Sequence, residues 1–452
     1  MTIFKKVLEI YKDYFICPYC LGRMFSLLAT NTTNLKRGES LLLSLTMNLH
    51  NTFLLSHTEE REQAQESLKI LAEHAKFKPA RKILKKEGFS LGEESSKHCY
   101  LCHDLFFDVE KYVNEALNVM EPWEFAHFLC GTSPAGRIIN NEDQFKAKFN
   151  LTHAEAFKSH FNREVGKRIA YQLDKPVEFE SPHLTLIFSL DYNSFSIDTI
   201  VKSEYIFGRY KKLVRGIPQT HWYCGKCHGK GCQECDYTGK QYQTSVEGLI
   251  SPKFIEKAQA EDSKFHGAGR EDIDVKMLGT GRPFVLELVN PKIRTLDLPA
   301  IQADVNRAHE GKVEILNLRK SSKDEVIKIK EEAENTRKVY KAYVTSQSEF
   351  SEAEFDLKLK EIKELIEDKE LQQRTPNRVS HRRADKIREK MIYSIKGNYL
   401  SSSGFEFIIE TQGGTYIKEL IHGDEGRTSP SFAEIMDDDL DCETLDVLEI
   451  KY

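Results

Sequence analysis

Gly269-Arg270-Glu271-Asp272-Ile273-Asp274-Val275-Lys276-Met277-Leu278-Gly279-Thr280-Gly281-Arg282-Pro283-Phe284-Val285-Leu286-Glu287-Leu288 sets three carboxylates beside an arginine and then turns apolar. Gly279, Gly281 and Pro283 predict a turn, and the β-prone run Phe284 to Leu288 predicts a buried strand. Carboxylates on irregular backbone leading into a rigid strand suit a catalytic or anion-handling loop. A solvated acidic turn fits the same residues taken alone. The rest of the chain has to decide between them.

The 452 residues carry a formal charge of −5, so the protein as a whole offers nucleic acid no electrostatic attraction. Basic residues count by location, and two stretches stand out. One is Gly208 to Gly216, with Arg209, Lys211, Lys212 and Arg215, running on to Trp222. The other is Arg374 to Arg383, with Arg378, Arg382 and Arg383. Each mixes cations with residues that stack or hydrogen-bond, as an RNA surface requires, and each also fits a solvated strand face. The acidic segment Met436 to Asp441 repels phosphate. No apolar run reaches the roughly 18 residues that span a bilayer. Met1 to Ile16 is a charged amphipathic stretch rather than a signal peptide. The expected setting is the cytoplasm, with no membrane partner.

Eight of the ten cysteines form Cys-x2-Cys pairs. Cys224, Cys227, Cys232 and Cys235 make a compact array flanked by glycines, the spacing of a tetrahedral all-thiolate zinc site. Cys17 with Cys20 and Cys99 with Cys102 are distant in sequence but could close into a second such site. Disulfides compete for the same residues and are disfavoured in a reducing compartment. Cys130 and Cys442 read as unligated thiols.

These markers divide the chain. Residues 1–120 read as helical around the split cysteine set, including a helix from Glu59 to Phe77. Residues 121–221 read as α+β, with strands at Phe125–Leu129 and Leu184–Leu190 around a helix from His153 to Leu173. Residues 222–244 hold the compact knuckle, placed as a hinge piece between halves. Residues 245–452 alternate strands and helices, among them a helix from Glu352 to Leu371.

Three short motifs occur in order. Gly269-Arg270-Glu271-Asp272 resembles the Gly-Arg-x-Asp motif that carries the nucleophilic aspartate of RNA pseudouridine synthases. Lys338-Val339-Tyr340-Lys341-Ala342 is similar to the Lys-x-Tyr-x-Ala motif of the TruB branch, whose tyrosine packs on the target base. Gly414-Thr415-Tyr416-Ile417-Lys418 resembles that branch's Gly-Thr-Tyr-Ile-Arg motif. With the N-terminal half, the set most resembles the archaeal-type tRNA pseudouridine synthases that carry a THUMP domain and modify uridines 54 and 55 of the T arm.

The resemblance implies a zinc-containing N-terminal THUMP region, with 121–221 as the RNA-binding module. It also implies a mixed, largely antiparallel-sheet catalytic domain. Asp272 would be the nucleophile, Lys418 its cationic partner and Tyr340 the stacking residue, with Ile417 and Leu445 as apolar walls. Alignment to the motif, not chemistry, selects Asp272 over Glu271 and Asp274. Arg270, Arg209, Lys211, Lys212, Arg378, Arg382 and Arg383 would contact RNA. Two structural zinc ions are implied, with no cofactor for catalysis, no nucleotide cofactor, and a monomer acting on tRNA. Attack at C1′ and at C6 both stay open. A non-catalytic tRNA-binding or chaperone protein, or another THUMP-type enzyme, is the alternative. No ATP-handling Ser-Gly-Gly-x-Asp-Ser loop supports a thiolase, and no glycine-rich loop opening a helix supports a methyltransferase.

Overall fold

In a computed structural model, residues 2–57, 59–92, 97–332, 335–380 and 384–451 are described. The chain forms two compact units, Met1–Lys202 and Ser203–Tyr452. None of the expected divisions, at 120/121, 221/222 and 244/245, coincides with this split, and the compact knuckle, expected as a hinge between halves, lies within the second unit. Residues on either side of 120 share one hydrophobic core, from Val7 to Leu190. The unit ends near 202 rather than 221, because the next strand belongs to the second unit's sheet.

In the first unit, helices Ile3–Asp13, Pro18–Met24, Asn34–Leu55, Glu59–Glu73 and Lys78–Lys86 pack with Val109–Met120, Gly136–Lys148 and Phe157–Leu173. The expected Glu59–Phe77 helix stops at Glu73; Lys76 takes a positive φ, and Phe77 caps the next helix. Gly22 has a packing reason to be glycine: a Cβ there would lie 1.8 Å from the Asn34 carbonyl oxygen. Strands β1 (Phe128–Pro134) and β2 (Leu184–Leu190) run parallel, and β3 (Phe195–Val201) pairs antiparallel with β2. β2 alternates buried and half-buried residues, presenting Leu184, Leu186, Phe188 and Leu190 to the helices. The expected first strand is shifted toward Pro134, and the long helix begins at Phe157 rather than His153. A buried Arg23–Glu142 ion pair ties Pro18–Met24 to Gly136–Lys148.

The second unit is built on one sheet. Its strands are β4 (Glu204–Lys212), β5 (Asp262–Gly267), β6 (Lys276–Val289), β7 (Val313–Ser321), β8 (Arg337–Ser346), β9 (Lys369–Arg374), β10 (Ile387–Ser401), β11 (Gly404–Gln412), β12 (Thr428–Ser429) and β13 (Leu440–Lys451). The order is β12-β9-β10-β11-β8-β13-β6-β4-β7, with β5 also on β6. Among the described residues β6 and β13 pair parallel and the other neighbours antiparallel, as the mixed-sheet expectation held. The fold class is thus α+β.

Two local expectations need correction. The glycines at 279 and 281 do not form a turn: β6 continues through them. Gly279 has φ +54°, and a Cβ there would sit 1.7 Å from the Leu448 carbonyl oxygen, so a side chain would push β6 off β13. The charged helix ends at Ile366, not Leu371, because Asp368 turns the chain through positive φ and Leu371 enters β9. Its start is fixed by a capping box between Ser351 and Glu354.

Candidate active site

The Gly269–Val275 loop joins β5 to β6 and lies where β6 meets β13, at the pairs Lys276–Asp446 and Met277–Val447. It fills one side of a cavity of about 140 Å³. β8 contributes Tyr340, which pairs in register with Val447, and β13 adds Leu445 two residues away on the same face. The Gly414–Lys418 turn supplies Ile417 and Lys418, and the short turn after β9 supplies Arg378. Arg270, Asp272, Tyr340, Arg378, Ile417, Lys418 and Leu445 therefore line one cavity, although Arg270 and Leu445 stand 175 positions apart in the chain.

The three carboxylates of the loop have different environments. Glu271 is buried, with Arg282 Nε 2.8 Å from Oε2 and the Tyr210 hydroxyl donating to the carboxylate at 2.7 Å. Its oxygens are committed to holding the loop against the sheet. Asp272 is half-buried, and Oδ2 accepts from an Arg378 guanidinium nitrogen at 2.8 Å. Asp274 is exposed and accepts from Lys418 Nζ at 2.5 Å.

Lys418 thus pairs with Asp274, and the expected Asp272–Lys418 pair is replaced by Asp272–Arg378. Arg378 also donates from Nε to Glu419 Oε1 at 2.6 Å, and Glu419 is buried. One guanidinium bridges a buried and a half-buried carboxylate, a fork that an ammonium cannot match. Burial pulls the Arg378 pKa down, but the hydrogen bond and charge of Glu419, with Asp272, raise it above its ordinary value. Burial pushes the Tyr340 hydroxyl up to about 12, opposed by Arg282 and assisted by Asp272 and Glu271. It is a neutral phenol near pH 7, suited to stack rather than to give up a proton.

The first basic stretch has another role than the one expected. Lys212 is fully buried, and its Nζ donates to the carbonyls of Ile217, Asp272 and Ile273 at 3.0–3.1 Å. Arg209 donates to the carbonyls of Thr280, Gly281 and Ile450. Lys211 pairs with Glu314 at 3.0 Å. These side chains fasten strands and the Asp272 loop, and the burial of Lys212 corrects its reading as a phosphate contact. Arg215 works alike, donating to the Asp274 and Leu445 carbonyls and to Asp446. The alternation Ile206, Gly208, Tyr210, Lys212 marks the buried face of β4 and was the signal available in sequence. Gln373, absent from the sequence reading, is buried and clamps Tyr416 through both its backbone groups. Arg382 and Arg383 lie outside the described residues.

The Pus10 C-terminal family matches residues 205–451, and the archaeal Pus10 THUMP domain matches 112–189. The chain belongs to the Pus10 family. The tRNA pseudouridine synthase Pus10 of Methanothermobacter marburgensis is 40% identical over 443 residues, 97% of this chain and 96% of the relative. That of Methanothrix thermoacetophila is 38% identical, covering 96% and 91%. That of Methanocaldococcus jannaschii is 39% identical, covering 98% and 93%. The Pus10 C-terminal match begins one residue into β4, which agrees with the boundary at 202/203 and not with one at 245.

In this Pus10 chain the cysteines gather into two groups of four, Cys17, Cys20, Cys99, Cys102 and Cys224, Cys227, Cys232, Cys235, and all are free thiols. Sulfur separations of 3.6 Å (Cys17–Cys102), 3.7 Å (Cys227–Cys235, Cys232–Cys235) and 3.8 Å (Cys224–Cys232) suit a tetrahedron. Zinc–sulfur bonds of about 2.3 Å would set sulfurs about 3.8 Å apart. Backbone amides of Gly231 and Gly239 donate to Cys227 and Cys235 at 3.2 Å, as amides do toward thiolates. The residues fit a divalent metal at each group. Cys130 and Cys442 stand outside both, their pKa values pushed up to about 12 by burial. Among the described residues no helix is long and apolar enough to cross a membrane.

Proposed function

We propose that this tRNA pseudouridine synthase acts on a uridine of the T arm, at position 54, 55 or both, with Asp272 as the nucleophile. One observation carries the reading: Asp272 Oδ2 is held 2.8 Å from Arg378 in a cavity that also contains Tyr340 and Leu445. The reaction breaks the C1′–N1 bond and forms C1′–C5; the C5 proton leaves and N1 gains one. No oxidant, reductant or cofactor is needed, so an ionised carboxylate in a shaped pocket suffices. Arg378 keeps Asp272 charged and aimed, Tyr340 stacks on the extruded base, and Ile417 and Leu445 exclude water. Attack on C1′ and on C6 are both compatible with this placement. Zinc in the two cysteine groups would act on folding alone, and the enzyme would work as a cytoplasmic monomer.

Mass-spectrometric mapping of pseudouridine in a tRNA transcript tests this. Asp272→Asn should abolish product while tRNA binding stays within a few-fold, and Asp274→Ala should retain product. An active Asp272→Asn beside an inactive Asp274→Ala would reverse the assignment. Metal analysis should find two zinc ions per chain, and zinc should not exchange during turnover.

A further inference from the structure

Trp222 to Gln241 forms a loop closed on itself. Cys224 N–H donates to the Gly239 carbonyl, Gln241 N–H to the Trp222 carbonyl, and Tyr223 bridges Lys240. The loop exposes two rings, Tyr223 at 70% and Tyr237 at 76%. Among the described residues of Ser203–Tyr452 every other Phe, Tyr and Trp side chain is buried or half-buried. The Tyr223 ring lies against Gly229, where a Cβ would fall 2.9 Å from it. Large rings exposed to water are stacking surfaces for bases.

The loop begins beside the cavity. Trp222, next to Tyr223, lines a second hollow of about 450 Å³ together with Asp272, Asp274, Arg378 and Lys418. The Arg270 guanidinium lies 4.9 Å from the Trp222 ring centre.

Resting on the function proposed above, we propose that Tyr223 and Tyr237 stack on unpaired bases of the RNA substrate beside the extruded uridine. Charge favours bases over backbone phosphate here. The loop's cations are Lys226, Lys230 and Lys240, with Lys226 paired with Glu234 at 2.6 Å; Glu234, Asp236 and four thiolates around one divalent ion outweigh them, so the loop carries no net positive charge. Ring faces remain as the means of recognition, and unstacked bases are the partner they fit.

The full-length protein and a tRNA transcript test this. Replacing both tyrosines by Ala should weaken binding about tenfold, within the range for stacked bases. Replacing both by Phe should keep affinity within about twofold. The slope of log K against log salt should not change, since no phosphate contact is lost. Irradiating the parent protein with a T-arm RNA containing 4-thiouridine should attach the label to the Tyr223 or Tyr237 peptide. This arm does not depend on how the variants fold. Labelling confined to other peptides, an Ala pair binding like the parent, or equal losses in the Ala and Phe pairs would overturn the proposal. Pseudouridine made by a parent that fails these tests would leave the functional reading standing. Label on these tyrosines without pseudouridine formation would sink the functional reading instead.

Discussion

Arg378 divides one guanidinium between Asp272 and the buried Glu419, so its replacement separates chemistry from stability. Arg378→Lys supplies one point charge for two carboxylates; losing a charge-assisted hydrogen bond of about 1.5–3 kcal/mol should lower kcat roughly 10- to 100-fold. Arg378→Met also strands Glu419. Because the Arg378 side chain is 37% exposed, the stability loss should fall at or below the low end of the roughly 3–5 kcal/mol seen for broken buried pairs. Urea unfolding of the two variants checks this, and equal stability in parent and Arg378→Met would deny the Glu419 contact. Asp274 and Lys418 form a milder pair. Burial raises the Asp274 pKa, but the Lys418 hydrogen bond and charge lower it more. A carboxylate depressed in the folded state contributes stability above its unfolded pKa of about 3.9, and the contribution is lost as pH falls through the lower folded value. Lys418→Met should therefore be less stable than the parent at neutral pH by under about 1 kcal/mol. The gap should close below roughly pH 4; a gap that widened with acid would contradict the pairing. The motif residues were legible in sequence because each sits in a short ordered signature. Their partners were not, since Asp272 and Arg378 meet across 106 residues of chain and no local pattern encodes that.

The Asp272 loop is an element without internal regularity, so its shape must be imposed from β4. Lys212 does this from a fully buried position through three carbonyl oxygens, two of them from Asp272 and Ile273 themselves. Burial lowers the Lys212 pKa, partly offset by Glu271 and Asp274. Lys212→Met keeps the volume and removes every donor, leaving carbonyls that cost about 1–3 kcal/mol each when unpaired and dry. We expect lower stability and a reduced kcat, with Kd for tRNA within about twofold because a buried ammonium touches no phosphate. A filter-binding assay beside single-turnover kinetics reads the two effects separately. A large affinity loss with normal kcat would restore Lys212 to an RNA surface. β4 shows why composition misled here: Gly-Arg-Tyr-Lys-Lys looks like a basic patch until period-two alternation assigns Tyr210 and Lys212 to the inner face. The cysteine groups were easier to read, since Cys-x2-Cys spacing is a local constraint and the four sulfurs then converge by folding.

At the scale of the molecule, the position of β4 decides where the chain can be cut. Cysteine spacing and the ordered motifs made both halves recognisable, but the boundary was obscured because β4 precedes the knuckle in sequence while its partners, β6 and β7, follow it. A fragment beginning at Ser245 would lack a strand from inside the sheet. It would lose the ladders on both sides of β4, leave β6 and β7 with unpaired edges, remove Ile206 and Tyr210 from the core, and lack Lys212 beneath the Asp272 loop. Two unpaired edges and a gap in the apolar core favour aggregation over folding. A fragment from Ser203 to Tyr452 keeps the whole sheet, its core, the knuckle and every described residue of the cavity. We therefore expect residues 203–452 to unfold in one cooperative transition by circular dichroism, to bind one zinc, and to retain pseudouridine formation at high RNA concentration with weaker tRNA affinity. Residues 245–452 should be insoluble or lack a cooperative transition. A well-folded, active 245–452 would mean that β4 is dispensable to the sheet, and the bracing of the Asp272 loop by Lys212 would fall with it.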